Sequence, residues 1–270
     1  MKHPVPAGAE QRPADEANRL NILSCNILAG GSVRRYRDYV THSWKHVLPT
    51  GKRANLDVLA RVIGEFDLVG LQEADAGSLR SGFMNQTQYL AEAAAFPFWS
   101  HQPNRRVSRL ATSSNGLLAR MQPDEVLDYP LPGRIPGRGA LWARFGEGER
   151  SLIVVIAHLS LGPAARMRQL GFIAELLGNH PNVVLMGDLN TPPSSAELQM
   201  LYSKTALEPP HESPATFPSW RPTRAIDHIL VSGAIEVEKR WALSHPVSDH
   251  LPVAASIRLP ATLGAAARPV

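Results

Sequence analysis

The 270-residue chain has a single cysteine and no long apolar run, so it lacks the sequence features of disulfide-bonded and membrane-spanning proteins. Its single cysteine, Cys25, excludes an intramolecular disulfide, and its place in an apolar run predicts a small core residue. No stretch approaches the roughly 20 apolar residues that a membrane-spanning helix needs. Residues 1–18 contain no apolar segment of the kind that a secretory signal requires. We therefore expect no integral membrane segment and a cytoplasmic location.

The composition that remains is that of an ordinary globular protein. Hydrophobic residues make up 44% of the chain and charged residues 19%, and its length is ample for a buried core. Lys and Arg outnumber Asp and Glu by 28 to 24, and the pI is near 9.5. This modest positive balance suits a partner that carries phosphate without identifying one. We expect one domain over residues 19–260, between a disordered N-terminal segment (1–18) and a flexible tail (261–270).

The most informative stretch is VVLMGDLNTP, residues 183–192. Its apolar run predicts a buried strand, and Gly187 predicts a sharp turn after it. Asp188 and Asn190 would then lie at the carboxyl end of a core strand, where open α/β sheets bind their ligands. Taken alone, the same residues also fit an Asx-rich turn closed by two prolines.

Polar side chains lie at the ends of other predicted strands. These strands are residues 20–28 with Asn26, 67–73 with Glu73, 151–159 with His158, 224–231 with Asp227, and 253–259 preceded by Asp249 and His250. One acid or histidine at a strand end is usually a turn residue or a hydrogen-bonded structural residue. Because the arrangement recurs along the chain, we interpret these side chains as parts of one site.

The remaining pattern predicts helices, two further strands and a loop. Helical spacing of apolar residues predicts helices at 54–66, 83–95, 167–177 and 195–202, and strands are predicted at 114–120 and 138–145. Asn115-Gly116 could form a tight turn where the first of these strands begins. Residues 101–112 lack both periodicities, so we interpret them as a mobile cationic loop, although a plain surface loop fits equally well. Two halves with strands and helices can be distinguished on either side of about Gly148.

Taken in order, the motifs resemble the endonuclease/exonuclease/phosphatase superfamily, which has the DNase I-like fold. The resemblance covers the chain from Asn26 to about Leu259. It rests on Asn26, Gln72-Glu73, Asn115-Gly116, His158, Gly187-Asp188-Leu189-Asn190, Thr216-Phe217-Pro218, Ile226-Asp227-His228 and Ser248-Asp249-His250. It implies an α/β protein, a four-layer α/β/β/α sandwich with two packed mixed β-sheets inside and helices outside.

The resemblance also implies a metal centre. Glu73 would be the principal ligand of a Mg²⁺ ion, which Mn²⁺ could replace, because hard cations take carboxylate oxygens and keep several waters. Asn26 would support the metal or its bound water, and Asp249 could reach the metal as well. The residues leave open whether one or two ions take part.

The remaining site residues would then perform the hydrolysis. The resemblance implies that Asp188 orients and deprotonates the attacking water, and that Asn190 holds a phosphoryl oxygen. His158 would donate to the scissile phosphate as its charge develops. His250 would contact phosphate or assist proton transfer, held in orientation by either Asp227 or Asp249. In-line attack of water on phosphorus would convert a diester to a monoester and an alcohol, or a monoester to inorganic phosphate.

Two positions separate the chain from one branch of the superfamily. The apurinic-site endonucleases carry an acid where this chain has Leu28 and a tyrosine where it has His158. The chain is therefore more similar to the sphingomyelinase, inositol-phosphatase and DNase I-like branches. Because these branches share one active centre, the motifs indicate the chemistry and leave the substrate open.

Nucleic acid is one expected substrate class, and phospholipid headgroups or small phosphoesters are the other. The basic balance supports DNA or RNA, and we predict that Arg105, Arg106, Arg109 and Asn115 bind the substrate. Aromatic residues are only 6% of the chain and form no basic-aromatic stripe, which argues against a processive nuclease. The sequence indicates no protein partner and leaves internal or terminal attack open.

Two other functions remain to be compared with hydrolysis at a magnesium site. The fold could be a catalytically silent module that binds a phosphorylated ligand, but every expected catalytic position is present. A zinc hydrolase could use His158 and His250, but these two histidines do not have a His-x-x-x-His spacing, and most donors are oxygens.

Overall fold

The computed structural model describes residues 18–28, 52–78, 81–107, 111–133, 137–244 and 248–263. Its strands are β1 (Arg19–Asn26), β2 (Leu68–Asp75), β3 (Phe98–Val107), β4 (Ala111–Ala119), β5 (Glu125–Pro130), β6 (Gly139–Phe145), β7 (Leu152–His158), β8 (Val183–Asp188), β9 (Asp227–Val231), β10 (Glu236–Ala242) and β11 (Val253–Arg258). Its helices are α1 (Lys52–Ile63), α2 (Gln86–Ala93), α3 (Pro163–Leu177) and α4 (Ala196–Lys204). Within the described ranges, no helix combines the length and apolar character needed to cross a membrane.

The strands form two sheets. One has the order β10-β11-β1-β2-β4-β3 and the other the order β5-β6-β7-β8-β9. Neighbouring strands are antiparallel except for the parallel pairs β1–β2 and β7–β8, so both sheets are mixed. The two halves on either side of about Gly148 each contain strands and helices, as predicted, but they do not coincide with the two sheets. Strands β5 and β6 precede Gly148 yet belong to the second sheet, and β10 and β11 return to the first, because antiparallel pairing joins strands that are distant along the chain.

Apolar side chains fill three layers. Ile22, Ile156 and Met186 belong to the cluster between the two sheets. A second cluster packs α1 and α2 on the first sheet, and a third packs α3 and α4 on the second sheet. Because successive residues of a strand face opposite sides, each central strand supplies both an inner and an outer layer. The predicted four-layer sandwich of two packed mixed sheets between helices is confirmed.

The expectation of a cationic loop at residues 101–112 is wrong. Arg105 pairs with Ser113 and Arg106 with Thr112 in the hairpin of β3 and β4. A register shift between Pro103 and Arg105 interrupts the alternation, which is why the sequence shows no strand periodicity. Residues 108–110, and so Arg109, lie outside the described residues, as do the side chains of Arg105 and Arg106.

Three further differences concern strands. Asn115 and Gly116 lie inside β4 and pair with Gln102 and His101, so they form no turn. The sequence reading also missed β5 and β10. Both are edge strands with mostly exposed or half-buried residues, so they lack the apolar run that marks a central strand. The predicted N-terminal segment and most of the tail lie outside the described residues.

Gly187 allows β7 and β8 to approach each other next to the candidate site. Its φ is 145°, a conformation that L side chains rarely adopt. A Cβ at this position would lie 1.8 Å from the carbonyl oxygen of Ala157, a backbone atom that cannot rotate away. Only glycine fits here while the parallel pairing of the two strands is kept.

We therefore expect Gly187→Ala to destabilise the protein by more than about 4 kcal/mol, the range of severe backbone and packing defects. Gly171→Ala is the matched control, because a Cβ at Gly171 within α3 would meet nothing within 4 Å. Alanine there should be neutral or stabilise by up to about 1 kcal/mol. Urea unfolding of both variants tests this, and a Gly187→Ala midpoint equal to that of the wild type would contradict the packing argument.

Candidate active site

The candidate site lies where the carboxyl ends of the two parallel strand pairs meet. In the first sheet Asn26 pairs with Gln72, and in the second His158 pairs with Asp188. The alternation that turns Ile156 into the layer between the sheets also turns His158 there. The polar ends of both pairs therefore face each other across the gap between the sheets.

Glu73 reaches this gap through an irregularity of β2. Gly70 faces the second sheet, since a Cβ there would lie 3.0 Å from the sulfur of Met186. Strict alternation would therefore turn Glu73 to the outer side. The register shifts between Leu71 and Ala74, and Glu73 has a φ of 58°. This bulge brings Glu73 Oε1 to 3.9 Å from Nε2 of His158.

Asp188 is the centre of the site. Its Oδ2 accepts a hydrogen bond from Nδ2 of Asn26 at 3.2 Å, and its Oδ1 accepts from the backbone N–H of Asn190 at 3.1 Å. Nε2 of His158 lies 3.4 Å from Oδ2, and Nε2 of His250 lies 3.9 Å from the same oxygen. Asp188 is 2% exposed, so these groups replace nearly all of its water.

Asp227 is the carboxylate that contacts the His250 ring. Nδ1 of His250 lies 2.8 Å from Oδ2 and 3.1 Å from Oδ1 of Asp227. The Thr216 hydroxyl donates to the same Oδ2 at 2.5 Å, and the Phe217 ring lies 4.9 Å from the imidazole, centroid to centroid. Of the two acids that could orient His250, these contacts favour Asp227 over Asp249.

Ser248 ties the segment that carries Asp249 and His250 to the end of β1. Its hydroxyl donates to the carbonyl oxygen of Asn26 at 2.6 Å and accepts from the backbone N–H of His250 at 3.0 Å. The Asn26 side chain in turn accepts from the backbone N–H of Leu28 at 3.2 Å. The sequence reading gave Ser248 and Thr216 no role, although both stand in the quoted motifs, because a hydroxyl residue beside a turn is common.

Burial and neighbouring charges shift the pKa values of the residues in the site. Burial raises the pKa of Glu73, and the nearby charge of Asp249 raises it further. Burial and Asp227 likewise raise the pKa of Asp188 above its ordinary value. Burial lowers the pKa of His158 well below its ordinary value, so this imidazole is neutral at pH 7.

His250 shifts in the opposite direction. Burial disfavours its charged form, but the charge of Asp227, the hydrogen bond to Asp227 and the charge of Asp188 together raise its pKa to about 10. The site therefore contains one neutral histidine, His158, and one protonated histidine, His250, at neutral pH.

Two groups of side chains could hold a cation. Asp188, Asp227 and His250 each offer a ligand atom within 4.8 Å of the others, although the shortest contact in this group is the His250–Asp227 hydrogen bond. Glu73 and Asp249 form the second group, in which the charge of Asp249 raises the pKa of Glu73. The oxygen-rich donor set and the cost of charging these buried carboxylates fit a hard divalent cation.

Asn115 lies on β4, the neighbour of β2 in the first sheet. It is fully buried, and its amide group donates to Oε1 of Gln102 and to the carbonyl oxygens of Gly139 and Ile156. It therefore bridges the two sheets below the site. Its predicted contact with the substrate stays a prediction.

Arg138 is a basic residue of the site that the sequence reading missed. It is half-buried and directly precedes β6. Its charge lowers the pKa of both Glu73 and His158. The sequence reading treated Arg138 only as the start of a strand. The available signal was a lone arginine between two glycines, Gly137 and Gly139.

Comparison with known proteins agrees with this geometry. The profile of the Endonuclease/Exonuclease/phosphatase family matches residues 23–250. An endonuclease/exonuclease/phosphatase from Beutenbergia cavernae DSM 12333 is 20% identical, with a TM-score of 0.72 over 90% of this chain and 72% of that chain. Mannosyl-6-phosphatase Bt3783 of Bacteroides thetaiotaomicron VPI-5482 is 19% identical, with a TM-score of 0.64 over 88% of this chain and 99% of its own.

A third solved structure, D. rerio TDP2 complexed with single strand DNA product, is 16% identical, with a TM-score of 0.63 over 89% of this chain and 99% of its own. None of the curated proteins compared with the chain matches it in sequence. At these identities the structural matches show the fold. That fold, with its buried Asp/Asp/His cluster, is the α/β sandwich of the DNase I-like phosphoesterases.

The chain belongs to the Endonuclease/Exonuclease/phosphatase family, because the family's profile matches most of its length. Members of this family are phosphoric ester hydrolases and typically depend on a divalent metal.

The protonated His250 generates a pH prediction for protein kept metal-free with EDTA. Because folding raises its pKa from 6.5 to about 10, its stabilising contribution is fully present below pH 6.5 and is lost as the pH rises through about 10. Asp227→Asn removes the nearest carboxylate, so the free energy of unfolding should fall less over this pH window than in the wild type. Urea unfolding at both ends of the window, with an NMR titration of His250, measures the difference.

Asp57→Asn on the exposed face of α1 is the control, because it removes the same charge from a residue outside the site. An Asp227→Asn variant that lost as much stability as the wild type over this window would contradict the assignment.

Proposed function

We propose that the protein is a Mg²⁺-dependent phosphodiester hydrolase in which water attacks phosphorus beside Asp188. The observation that carries this proposal is the convergence of Asn26, His158 and His250 on the Asp188 carboxylate. Each residue comes from a different strand end or loop. The three are therefore distant along the chain and meet only in the folded protein. A nucleic acid or phospholipid-type diester would be the substrate.

Asp188 is suited to take a proton from the attacking water. Its backbone partner Asn190 fixes one carboxylate oxygen, so the side chain is oriented before the substrate arrives. Burial and Asp227 raise its pKa, which makes it a stronger base than an exposed aspartate. Asn190 would hold a phosphoryl oxygen, as predicted from the sequence.

The two histidines would act on the phosphate in different ways. His250 is protonated and hydrogen-bonded to Asp227. Its imidazolium would contact the phosphate or donate a proton to the leaving oxygen. His158 is neutral, so it would donate a hydrogen bond as charge develops without adding charge of its own.

Glu73 and Asp249 would hold the metal, with Asn26 supporting it. Asn26 donates to Asp188 and also lowers the pKa of Glu73 by a hydrogen bond, so it links the base to the proposed metal ligand. When bound there, the cation would neutralise phosphate charge and activate the attacking water. The cluster of Asp188, Asp227 and His250 is the alternative site, but binding through Nδ1 would break the hydrogen bond that orients His250.

The expected substrate classes are nucleic acids on one side and phospholipid headgroups or small phosphoesters on the other. The phosphatase and the DNA-bound structure described above share this fold, which favours neither over the other. The basic balance supports DNA or RNA, and Arg105, Arg106, Arg109 and Asn115 remain predicted substrate contacts. The cytoplasmic location and the domain boundaries at residues 19 and 260 also stay predictions.

Hydrolysis of bis(p-nitrophenyl) phosphate and p-nitrophenyl phosphate tests the proposal. We expect turnover of the diester with Mg²⁺ and its loss with EDTA. Asp188→Asn should lower kcat by about 10²- to 10⁴-fold, the usual contribution of a general base. Asp128→Asn, which removes an exposed acid from β5, should leave the rate unchanged.

Turnover that survives both EDTA and Asp188→Asn would contradict the proposed chemistry. A protein that binds diesters but hydrolyses none would favour the silent binding module.

A further inference from the structure

Two loops lead from the strands of the site into two neighbouring helices. The first site loop, residues 159–162, joins β7 to α3, and the second site loop, residues 189–195, joins β8 to α4. His158 stands directly before the first loop and Asp188 directly before the second, while Asn190 lies within the second. The placement of these loops therefore decides where three of the proposed reacting side chains lie.

The two site loops are hydrogen-bonded to each other beside Asp188. The backbone N–H of Leu159 donates to the carbonyl oxygen of Asp188 at 2.9 Å. Nδ2 of Asn190 donates to the carbonyl oxygen of Leu159 at 3.0 Å. The first site loop thus fixes the direction of the Asn190 amide, which would hold a phosphoryl oxygen.

A buried ion pair joins the two helices that follow the loops. Arg166 lies near the start of α3 and Glu197 in the first turn of α4. Nε and Nη2 of Arg166 donate to Oε1 of Glu197 at 3.1 Å and 2.8 Å. On its other side the same guanidinium donates through Nη1 to the carbonyl oxygens of Ser160, at 3.5 Å, and Leu161. One side chain therefore connects the first site loop to α4.

Gln169 contacts the first site loop one turn further along α3. Its Oε1 accepts from the backbone N–H of Ser160 at 2.9 Å, and its Nε2 donates to the Ser160 hydroxyl at 3.0 Å. Leu161 receives its side-chain contact from Arg166 instead, and it is 76% exposed. Water could therefore replace the guanidinium at the Leu161 carbonyl oxygen, but water would not fix the position of the loop.

The burial of this ion pair favours a geometric role over a stabilising one. Arg166 is 8% exposed and Glu197 is 7% exposed. Taking two charges out of water costs about as much as their attraction returns, and an apolar pair of similar volume often gives equal or greater stability. A guanidinium does supply donors in fixed directions on both of its sides, which no apolar side chain can do.

We propose that Arg166, held by Glu197, is a positioning residue that keeps the first site loop, and through it His158 and Asn190, in the arrangement that the phosphate requires. The inference rests on the proposed function, since it assigns the pair to the same reaction. Small displacements of reacting groups are costly in rate, about 10²-fold for 1 Å. The pair would thus act on catalysis without touching the substrate.

The test replaces the ion pair by an apolar pair in the double variant Arg166→Met, Glu197→Leu. The matched control is Arg144→Met, Glu125→Leu. Nε and Nη2 of Arg144 likewise bind one carboxylate oxygen of Glu125, at 3.4 Å and 3.3 Å, and its Nη1 binds the carbonyl oxygen of Gly146. Arg144 pairs with Ile153, at the end of β7 opposite His158.

Three measurements are made on each protein. Urea unfolding gives stability, and kinetics with bis(p-nitrophenyl) phosphate and Mg²⁺ give kcat and KM. NMR of the side-chain amide of Asn190 reports its hydrogen bond to Leu159 without depending on turnover.

We expect the double variant at Arg166 and Glu197 to unfold at no lower urea concentration than the wild type. Its kcat should fall about 10- to 100-fold with little change in KM, because misplaced groups lose contacts that form in the transition state. Its Asn190 amide resonances should shift. The control variant should keep the wild-type kcat and the wild-type Asn190 resonances.

Arg166→Lys provides a second test should the double variant not fold. It keeps a charge beside Glu197, but one ammonium group cannot reproduce the two-sided fork, so kcat should again fall while KM stays near the wild-type value. A folded variant of either kind with the wild-type kcat would overturn the positioning role and leave the hydrolase intact. A fall in kcat with unmoved Asn190 resonances would overturn it as well. A wild type that hydrolyses no diester would overturn both proposals.

Discussion

A carboxylate buried between two sheets, that of Asp188, is the constraint on which the site depends. An ionised group without water is costly unless hydrogen bonds and nearby charges compensate it. Here the compensation comes from Asn26 on the first sheet, from the backbone of Asn190 and from the charge of His250. Each contact also fixes the element that supplies it, so one set of interactions both orders the sheet ends and orients the Asp188 carboxylate.

Backbone strain is concentrated at the same place. Leu28, Glu73 and Asn190 have positive φ values of 42°, 58° and 53°, a region that costs residues with a Cβ about 1–2 kcal/mol each. They follow or interrupt the strands that bear Asn26, Glu73 and Asp188. The surrounding hydrogen bonds maintain these conformations, and at Glu73 the bulge turns the side chain into the gap, where a regular strand would turn it away.

The same fold occurs in proteins whose names point to different phosphoesters. A phosphatase and a DNA-bound structure share the fold with this chain at 19% and 16% identity.

The sequence by itself determined the central strands, the helices and the polar residues at the strand ends, since apolar runs and helical spacing report burial along one stretch of chain. Tertiary structure decided the rest. It placed the edge strands β5 and β10, the bulge that redirects Glu73, and the preference of His250 for Asp227. Each of these depends on which strands pair and how two sheets face each other, and contacts between distant segments leave no periodic pattern in the sequence.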